Sequence, residues 1–436
     1  MKLNIRNLFN HTSTISFVSK FLILFFNFFT SFVVLFNLSD LEQALYFTIT
    51  SLFFIQTFVE LGFNSVLLHF VANARKNLFL GKSMTLEFNN ESNHELFSLA
   101  KFSKLWIICS SLILFIILLI SGLFVFSDLE DYKINNLWIY ISIFFSLSFI
   151  LQPIYIFFDA IGMLRSVCYL RLIQNISLNI CFCYFIFSNF GLESFLFAQI
   201  IAFSLIFLIL LLKYKNLIMY LFFNNLKGCK FNWKDKFFPM QWRIGISSIC
   251  GYLLFFSYTP LVFKYIDPIL AGKVGFMFSI LAGYRGLISS ILNPYVSKYA
   301  FLISRNKSTM VNKYIRRNTI LIFYLSIVFI LFYYLITYIL KILYFSTYER
   351  LLDPKLTLIL FLGNFLICLS LPISSYLRSF RVEPLMKLSI ISACMAILGN
   401  IFACYYKSID LMVYFFLLTN IAVVPFIYFK YKNKAN

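Results

Sequence analysis

Twelve stretches of this chain stay apolar over the length a helix needs to cross a bilayer, and no other feature constrains the fold as strongly. A hydrocarbon core about 30 Å thick takes about 20 residues of α-helix, and within it every backbone polar group must be satisfied inside the chain. The runs fall at residues 15–38, 43–73, 105–126, 137–158, 165–188, 192–212, 244–263, 271–297, 318–340, 356–377, 385–406 and 410–429. None alternates apolar and polar residues as the strands of a membrane barrel do, so the spans are expected to be helices. Composition agrees, since 61% of residues are apolar, 12% are charged and the mean hydropathy is +0.86, which no soluble domain shows. The basic N-terminus runs into the first span with no small-residue cleavage site, which predicts an uncleaved first helix.

Lysine and arginine fix an orientation. With both termini cytoplasmic, 29 of the 37 basic residues fall on the inner side of these spans, seven outside, and Arg285 within a span. Adding or removing one helix would invert every later loop, so the bias supports the count of twelve as well as the direction. No outer connection exceeds about fifteen residues, whereas the inner ones include 74–104, 213–243 and 298–317. The loop 213–243 divides the chain into an N-terminal lobe, 1–212, and a C-terminal lobe, 244–436, of six helices each. Such a division predicts an all-α membrane protein of two pseudo-symmetric lobes, the organisation of a transporter built from repeats.

Three spans carry polar stripes. Gln56, Glu60 and Asn64 are spaced by four on the second, Arg285, Ser289 and Asn293 on the eighth, and Arg171, Asn175 and Asn179 on the fifth. Ionisable groups are too costly to face lipid, so these stripes are expected to meet one another or to line water. Glu60 and Arg285, at nearly the same depth, would on the first reading pair and merely fix helix packing. The reading preferred here is a hydrated central cavity, because three helices contribute where a structural pair needs only two residues. With Arg285 and Arg171 set against Glu60 the lining is cationic, which favours an anionic cargo and suits phosphate oxygens. Arg165, Arg378 and Arg381 lie where they either widen a cationic mouth or serve as positive-inside anchors. Asp159, six residues before Arg165, reads as a surface ion pair or as a proton or sodium site. His69 lies opposite the second-span stripe and reads as a packed or interfacial histidine.

Much else is excluded. There is no Walker loop, dinucleotide glycine motif, metal-binding histidine pair or nucleophile elbow, so neither a cofactor nor ATP hydrolysis by this chain is expected. The nine cysteines are scattered through apolar segments and suggest no disulfide framework or metal site. A net charge of +20 lies mainly beside the spans, where anionic lipid headgroups account for it better than nucleic acid.

Four stretches, in order, resemble bacterial polysaccharide flippases of the Wzx type, in the multidrug/oligosaccharidyl-lipid/polysaccharide exporter superfamily. They are Gln43-Ala-Leu-Tyr46-Phe-Thr48 with Gln56 and Glu60-Leu61-Gly62, then Pro153, Asp159, Gly162, Arg165 and Leu170-Arg171-Leu172-Ile173-Gln174. Next come Pro239-Met240-Gln241-Trp242-Arg243-Ile244 with Gly251-Tyr252, Pro260 and Ala271-Gly272, and last Met277 with Ser279-Ile280-Leu281. The match covers about the first two thirds of the chain. Asp159 stands where that family is expected to carry glutamate and His69 where glutamine is usual; the first exchange keeps a carboxylate, the second weighs against a role for His69. The resemblance implies a MATE-like fold of about twelve helices in the bacterial inner membrane. It also implies transport of a polyprenyl-diphosphate-linked oligosaccharide, an O-antigen or capsule repeat unit, from the cytoplasmic to the periplasmic leaflet by alternating access. Arg285, Arg171, Arg165, Asn64 and Asn175 are then the expected substrate contacts, and Glu60 and Asp159 the switch or ion-coupling groups, with H+, Na+ or the membrane potential as driving force. Expected partners are the lipid-linked oligosaccharide, membrane lipids and other polysaccharide-assembly proteins. The competing readings are a cation-coupled multidrug exporter of the same fold, against which Arg285 counts, and an O-antigen polymerase, against which the absence of a long outer loop counts.

Overall fold

A computed structural model describes residues 5–435 apart from 75–78, 81–85, 88–89, 130–131, 224–232, 234–236, 306–307 and 381–384. The helices in chain order are α1 (Ile5–Asn37), α2 (Asp40–Phe53), α3 (Gln56–Glu60), α4 (Phe63–Ala74), α5 (Asn90–Val125), α6 (Tyr132–Phe149), α7 (Gln152–Ala160), α8 (Leu164–Phe187) and α9 (Glu193–Phe223). They continue as α10 (Phe238–Phe255), α11 (Tyr258–Tyr265), α12 (Pro268–Ser304), α13 (Ser308–Leu343), α14 (Phe345–Glu349), α15 (Pro354–Arg378), α16 (Met386–Tyr405) and α17 (Ile409–Ala435). Two strand residues pairs, Phe79–Leu80 and Leu86–Glu87, form a short antiparallel ladder between α4 and α5. Ten helical stretches among the described residues are long and apolar enough to cross a membrane, and twelve spans result when each of two bent pairs is taken as one. The architecture is therefore the all-helical, multi-span one that the apolar runs predict.

Two features differ from the sequence expectation. The long inner loops are shorter than drawn, because α5 begins at Asn90, α9 continues to Phe223 and α12 to Ser304. Apolar periodicity continues through these extensions: Leu96, Leu99 and Ala100 on α5 and Tyr214, Leu217 and Leu221 on α9 are all buried in one core. The second span, expected as one helix with one polar stripe, is broken twice. α2 stops at Phe53, α3 makes a single turn, and Leu61 (φ 47°) and Gly62 (φ 71°) adopt left-handed backbone before α4 starts, with a bend of 52° across the span. Gln56, Glu60 and Asn64 consequently do not share one helix face.

The chain divides into two compact units, Met1–Ile23 with Ile55–Ser248, and Leu24–Phe54 with Ile249–Asn436. In the first, α4, α5, α7, α8 and α9 surround a core that includes Phe63, Leu67, Phe157, Phe158 and Ile206. The segment entering α10 is anchored by aromatic rings: Trp233 lies 5.8 Å from Trp106, Phe237 lies 5.3 Å from Phe63, and the Trp233 indole N–H donates to Gln241 Oε1 at 3.0 Å. Gly62 and Gly245 let two backbones touch. A Cβ on Gly62 would fall 2.6 Å from Ile244 Cγ2, and one on Gly245 would fall 2.8 Å from the Leu61 carbonyl oxygen.

The second unit is built on a similar close approach. On α12, a Cβ at Gly272 would stand 3.1 Å from the Ala44 nitrogen and one at Gly275 would collide with Phe47 Cβ, so α2 and α12 pack through small residues as membrane helices do. Ser39 and Glu42 form a capping box at the start of α2. Arg350, just past α14, holds the α1–α2 turn from outside: its Nε lies 2.9 Å from Asp40 Oδ1, and its Nη1 donates to the carbonyls of Leu35 and Leu38. A second bend, of 47°, separates α10 from α11, and there Phe54 and Phe256 stack with ring centroids 3.5 Å apart.

Candidate functional site

Arg285 is placed by helical geometry. On α12, Tyr284, Ile288 and Leu292 turn inward and pack with Ile322 of α13 and Cys368 of α15. One position further round, Arg285 is half-buried while Ser289 and Asn293 are exposed, so this polar stripe stands off the core of its own unit, as the spacing of four predicts. The guanidinium is fixed on two sides. Its Nη1 donates to Asn364 Oδ1 of α15 at 2.8 Å, and its central carbon lies 4.2 Å from the centroid of the Phe255 ring. Asn364 is itself buried and donates from Nδ2 to Cys368 Sγ at 3.8 Å, which sets its amide with the oxygen toward the arginine.

No carboxylate within that unit pairs with Arg285 among the described residues. A guanidinium carries five N–H donors in a rigid fork. An amide oxygen and an aromatic face orient it, and no carboxylate of its unit among the described residues offsets its charge, an arrangement suited to an oxyanion.

Glu60, Asn64, Asp159, Arg165, Arg171 and Asn175 lie in the first unit. The Glu60 carboxylate accepts hydrogen bonds from the backbone N–H and the side chain of Asn64. Because the chain breaks at Leu61–Gly62, the first amides of α4 lack helical acceptors, and Glu60 supplies one from the preceding turn. Its place in the sequence as a lone intramembrane carboxylate thus has a local cause. The Asn64 side-chain oxygen is buried without a hydrogen-bond partner among the described residues.

Asp159, at the end of α7, lies within electrostatic reach of Arg171 on α8 and Lys20 on α1, so its neighbours are these two cations. Arg171 stands 5.6 Å from the ring centroid of Tyr155, whose hydroxyl donates to Gln174 Oε1 at 3.1 Å. Lys20, Arg171 and Asp159 together form a polar group of net charge +1. Arg165 is exposed in the first turn of α8, Arg378 is exposed at the end of α15, and Arg381 lies outside the described residues. The fifth-span stripe runs from exposed Arg171 to buried Asn179, whose Nδ2 donates to the Asn175 carbonyl at 2.8 Å and to Asn175 Oδ1 at 3.1 Å. His69 is exposed on α4.

The structure therefore joins Asp159 with Arg171, and Glu60 with Asn64, and sets Arg285 in the second unit with partners the sequence reading did not name. Those are Asn364 and Phe255. Lys20 was also missed, although the first span begins at Ile15 and so places this lysine inside it, the signal that marked Arg285. Among the described residues no group of three His, Cys, Asp or Glu side chains could hold a metal ion.

No family model matches the sequence, and no curated protein matches it. Solved structures do resemble it. The lipid II flippase MurJ in an inward closed conformation aligns over 97% of this chain and 87% of its own, with a TM-score of 0.63 and 16% identity. The MATE multidrug transporter DinF-BH, in complex with R6G, aligns over 98% and 96%, with a TM-score of 0.58 and 13% identity. A transporter of the MOP superfamily from Pyrococcus furiosus, described by a reverse polarity of its binding pocket, aligns over 97% and 95%, with a TM-score of 0.55 and 11% identity. At these identities the likeness is one of fold: this chain has the architecture shared by MATE transporters and the MurJ flippase.

Proposed function

We propose that this protein is a flippase that moves a polyprenyl-diphosphate-linked oligosaccharide from the cytoplasmic to the periplasmic leaflet of a bacterial inner membrane. The observation that carries the reading is Arg285, a membrane-embedded guanidinium oriented by Asn364 and Phe255 with no carboxylate of its unit beside it. The likeness of fold to transporters, a lipid flippase among them, supports it.

The physical logic starts from the cargo. Sugars and a diphosphate cannot cross hydrocarbon unaided, whereas the polyprenyl tail need never leave it. A transporter for such a molecule needs a polar surface for the headgroup, exposed first to one side of the membrane and then to the other. Arg285 would take the diphosphate oxygens, with Arg171 and Lys20 as the cationic group of the first unit and Asn64 and Asn175 as polar contacts. Arg165 would lie on the approach. Glu60, which caps α4, and Asp159, which sits between two cations, are the groups that could exchange a proton or a cation during the cycle.

Ion coupling is not energetically required. Moving two negative charges outward through an inside-negative potential of 100 mV releases about 4–5 kcal/mol, at roughly 2.3 kcal/mol per charge.

The test is translocation in vesicles that contain only this protein. An undecaprenyl-diphosphate-linked oligosaccharide is loaded on one leaflet and its accessibility to an enzyme or lectin outside is followed, with the potential and the pH gradient imposed separately. Wild type is expected to translocate it, faster with an inside-negative potential. Arg285→Ala is expected to abolish transport and Arg285→Lys to retain a fraction. Normal transport by the alanine variant at equal abundance removes Arg285 from the site, and transport of a cationic drug in place of the lipid favours the exporter reading.

A further inference from the structure

One end of the second unit gathers the last turns of α12, α15 and α17 and the first turns of α13 and α16 around a core of Tyr299, Val311, Ile315, Leu377 and Leu385. Lys298, Arg305, Lys313, Arg316 and Arg317 are all exposed around that core. From Pro268 to Tyr348 the sequence contains no aspartate or glutamate at all. At the opposite end of the same unit carboxylates are present and used: Asp40 pairs with Arg350 at 2.9 Å, Asp267 caps α12 and Asp353 caps α15. Among the described residues the unit is thus polar in charge along its length, with no carboxylate at its cationic end. Glu383 lies outside the described residues.

Positive-inside bias accounts for an excess of basic residues but not for their convergence. The Lys298 ammonium lies 3.8 Å from the ring centroid of Tyr314 and 5.9 Å from that of Tyr295, while Lys313 and Arg317 are within electrostatic reach of the same Tyr314. Lys313 and Arg317 are four residues apart on one helix, a like-charge spacing that by itself destabilises α13. Two helices therefore bring three cations to one tyrosine, and a multivalent anion there would relieve their repulsion.

The surroundings indicate which anion. The cluster sits towards the ends of two candidate membrane spans, Pro268–Ile303 and Thr309–Leu343, and the end of a span is where headgroup phosphates are met. Tyr295 and Tyr314 fit the aromatic belt of a membrane interface, and Phe301 and Met310 beside the cluster are 53% and 50% exposed, apolar surface suited to acyl chains. We propose that Lys298, Lys313 and Arg317 form a binding site for the phosphate headgroup of an anionic membrane lipid, with the acyl chains lying along α12 and α13. The site lies in one unit and is independent of the transport reading, so either can fail without the other.

The experiment uses the full chain purified in detergent and examined by native mass spectrometry with phosphatidylglycerol or phosphatidylethanolamine added. Phosphatidylglycerol adducts are expected to dominate. At roughly 1 kcal/mol per basic residue near the surface, each neutralisation weakens binding about fivefold, so K298Q/K313Q/R317Q should lose on the order of a hundredfold. K298R/K313R keeps the charge and should keep the binding, which separates a lost site from a misfolded end, and Lys341→Gln at the opposite end should change nothing. Equal adducts with both lipids, or phosphatidylglycerol binding unchanged in the triple glutamine variant, overturns the proposal. So does displacement of the lipid by an equal concentration of inorganic phosphate or of a short DNA oligomer, since the site would then serve a soluble anion or a nucleic acid.

Discussion

Replacing Gly62 by alanine tests the break in the second span, because two separate costs meet at that residue. Its backbone has φ 71°, a left-handed conformation that costs an L-residue about 1–2 kcal/mol. The added Cβ would also lie 2.6 Å from Ile244 Cγ2 and 2.8 Å from Ile244 Cβ, and overpacking of that kind costs about 1–3 kcal/mol. The expected loss for Gly62→Ala is therefore about 2–5 kcal/mol. A double-mutant cycle with Ile244→Ala divides it: trimming the isoleucine removes the Cγ2 contact but keeps Cβ, so it should recover part of the steric share and leave the backbone share. Gly245→Ala provides the contrast, because its Cβ would meet the Leu61 carbonyl oxygen at 2.8 Å, a backbone atom that no side-chain truncation moves. Unfolding midpoints of the purified variants in one detergent, converted to free-energy differences, make the measurement. Wild-type stability for Gly62→Ala, or no coupling between Gly62→Ala and Ile244→Ala, would refute both the left-handed break and the contact that fills it.

Two further outcomes follow from the geometry. Glu60→Leu should destabilise by about 0.5–2 kcal/mol through loss of the α4 cap, while Glu60→Gln, which keeps an acceptor oxygen, should lose less; unfolding midpoints check the ranking, and equal effects would deny the capping role. Arg350→Ala should cost about 1–3 kcal/mol because a charged donor leaves the Leu35 and Leu38 carbonyls, whereas Asp40→Ala should cost under about 1 kcal/mol since Asp40 is half exposed and its pairing is screened; thermal unfolding at low and high salt distinguishes them.

The spans were legible because the bilayer leaves so little choice. Any helix that crosses it must be apolar for about 20 residues, and that length is written directly in the sequence. Arg285 was legible for the same reason, as a charge within an apolar run. The break before α4 was not, because the spacing of Gln56, Glu60 and Asn64 continues unchanged across it. Only Gly62 marked the place, and a glycine in a membrane span is as often a packing residue as a turn. The inner loops were overdrawn because Tyr214, Leu217 and Leu221 keep a helical period past residue 212, where the apolar run reads as ended. Asn364 and Phe255 could not be assigned to Arg285 at all, being 79 and 30 positions away in a chain with many asparagines and phenylalanines. Lys20 had the right signal but sat near the start of its span, where a lysine reads as an anchor.

Whether the Arg285 stripe faces water can be measured directly. Ser289, one turn from the guanidinium, is replaced by cysteine in a background lacking all nine native cysteines, and the protein is reconstituted in vesicles with a membrane-impermeant maleimide. Reaction of Ser289→Cys, and its suppression by excess undecaprenyl diphosphate, is the predicted result. A thiol that stays unreactive from both sides of the membrane, whether or not the lipid is present, would contradict it.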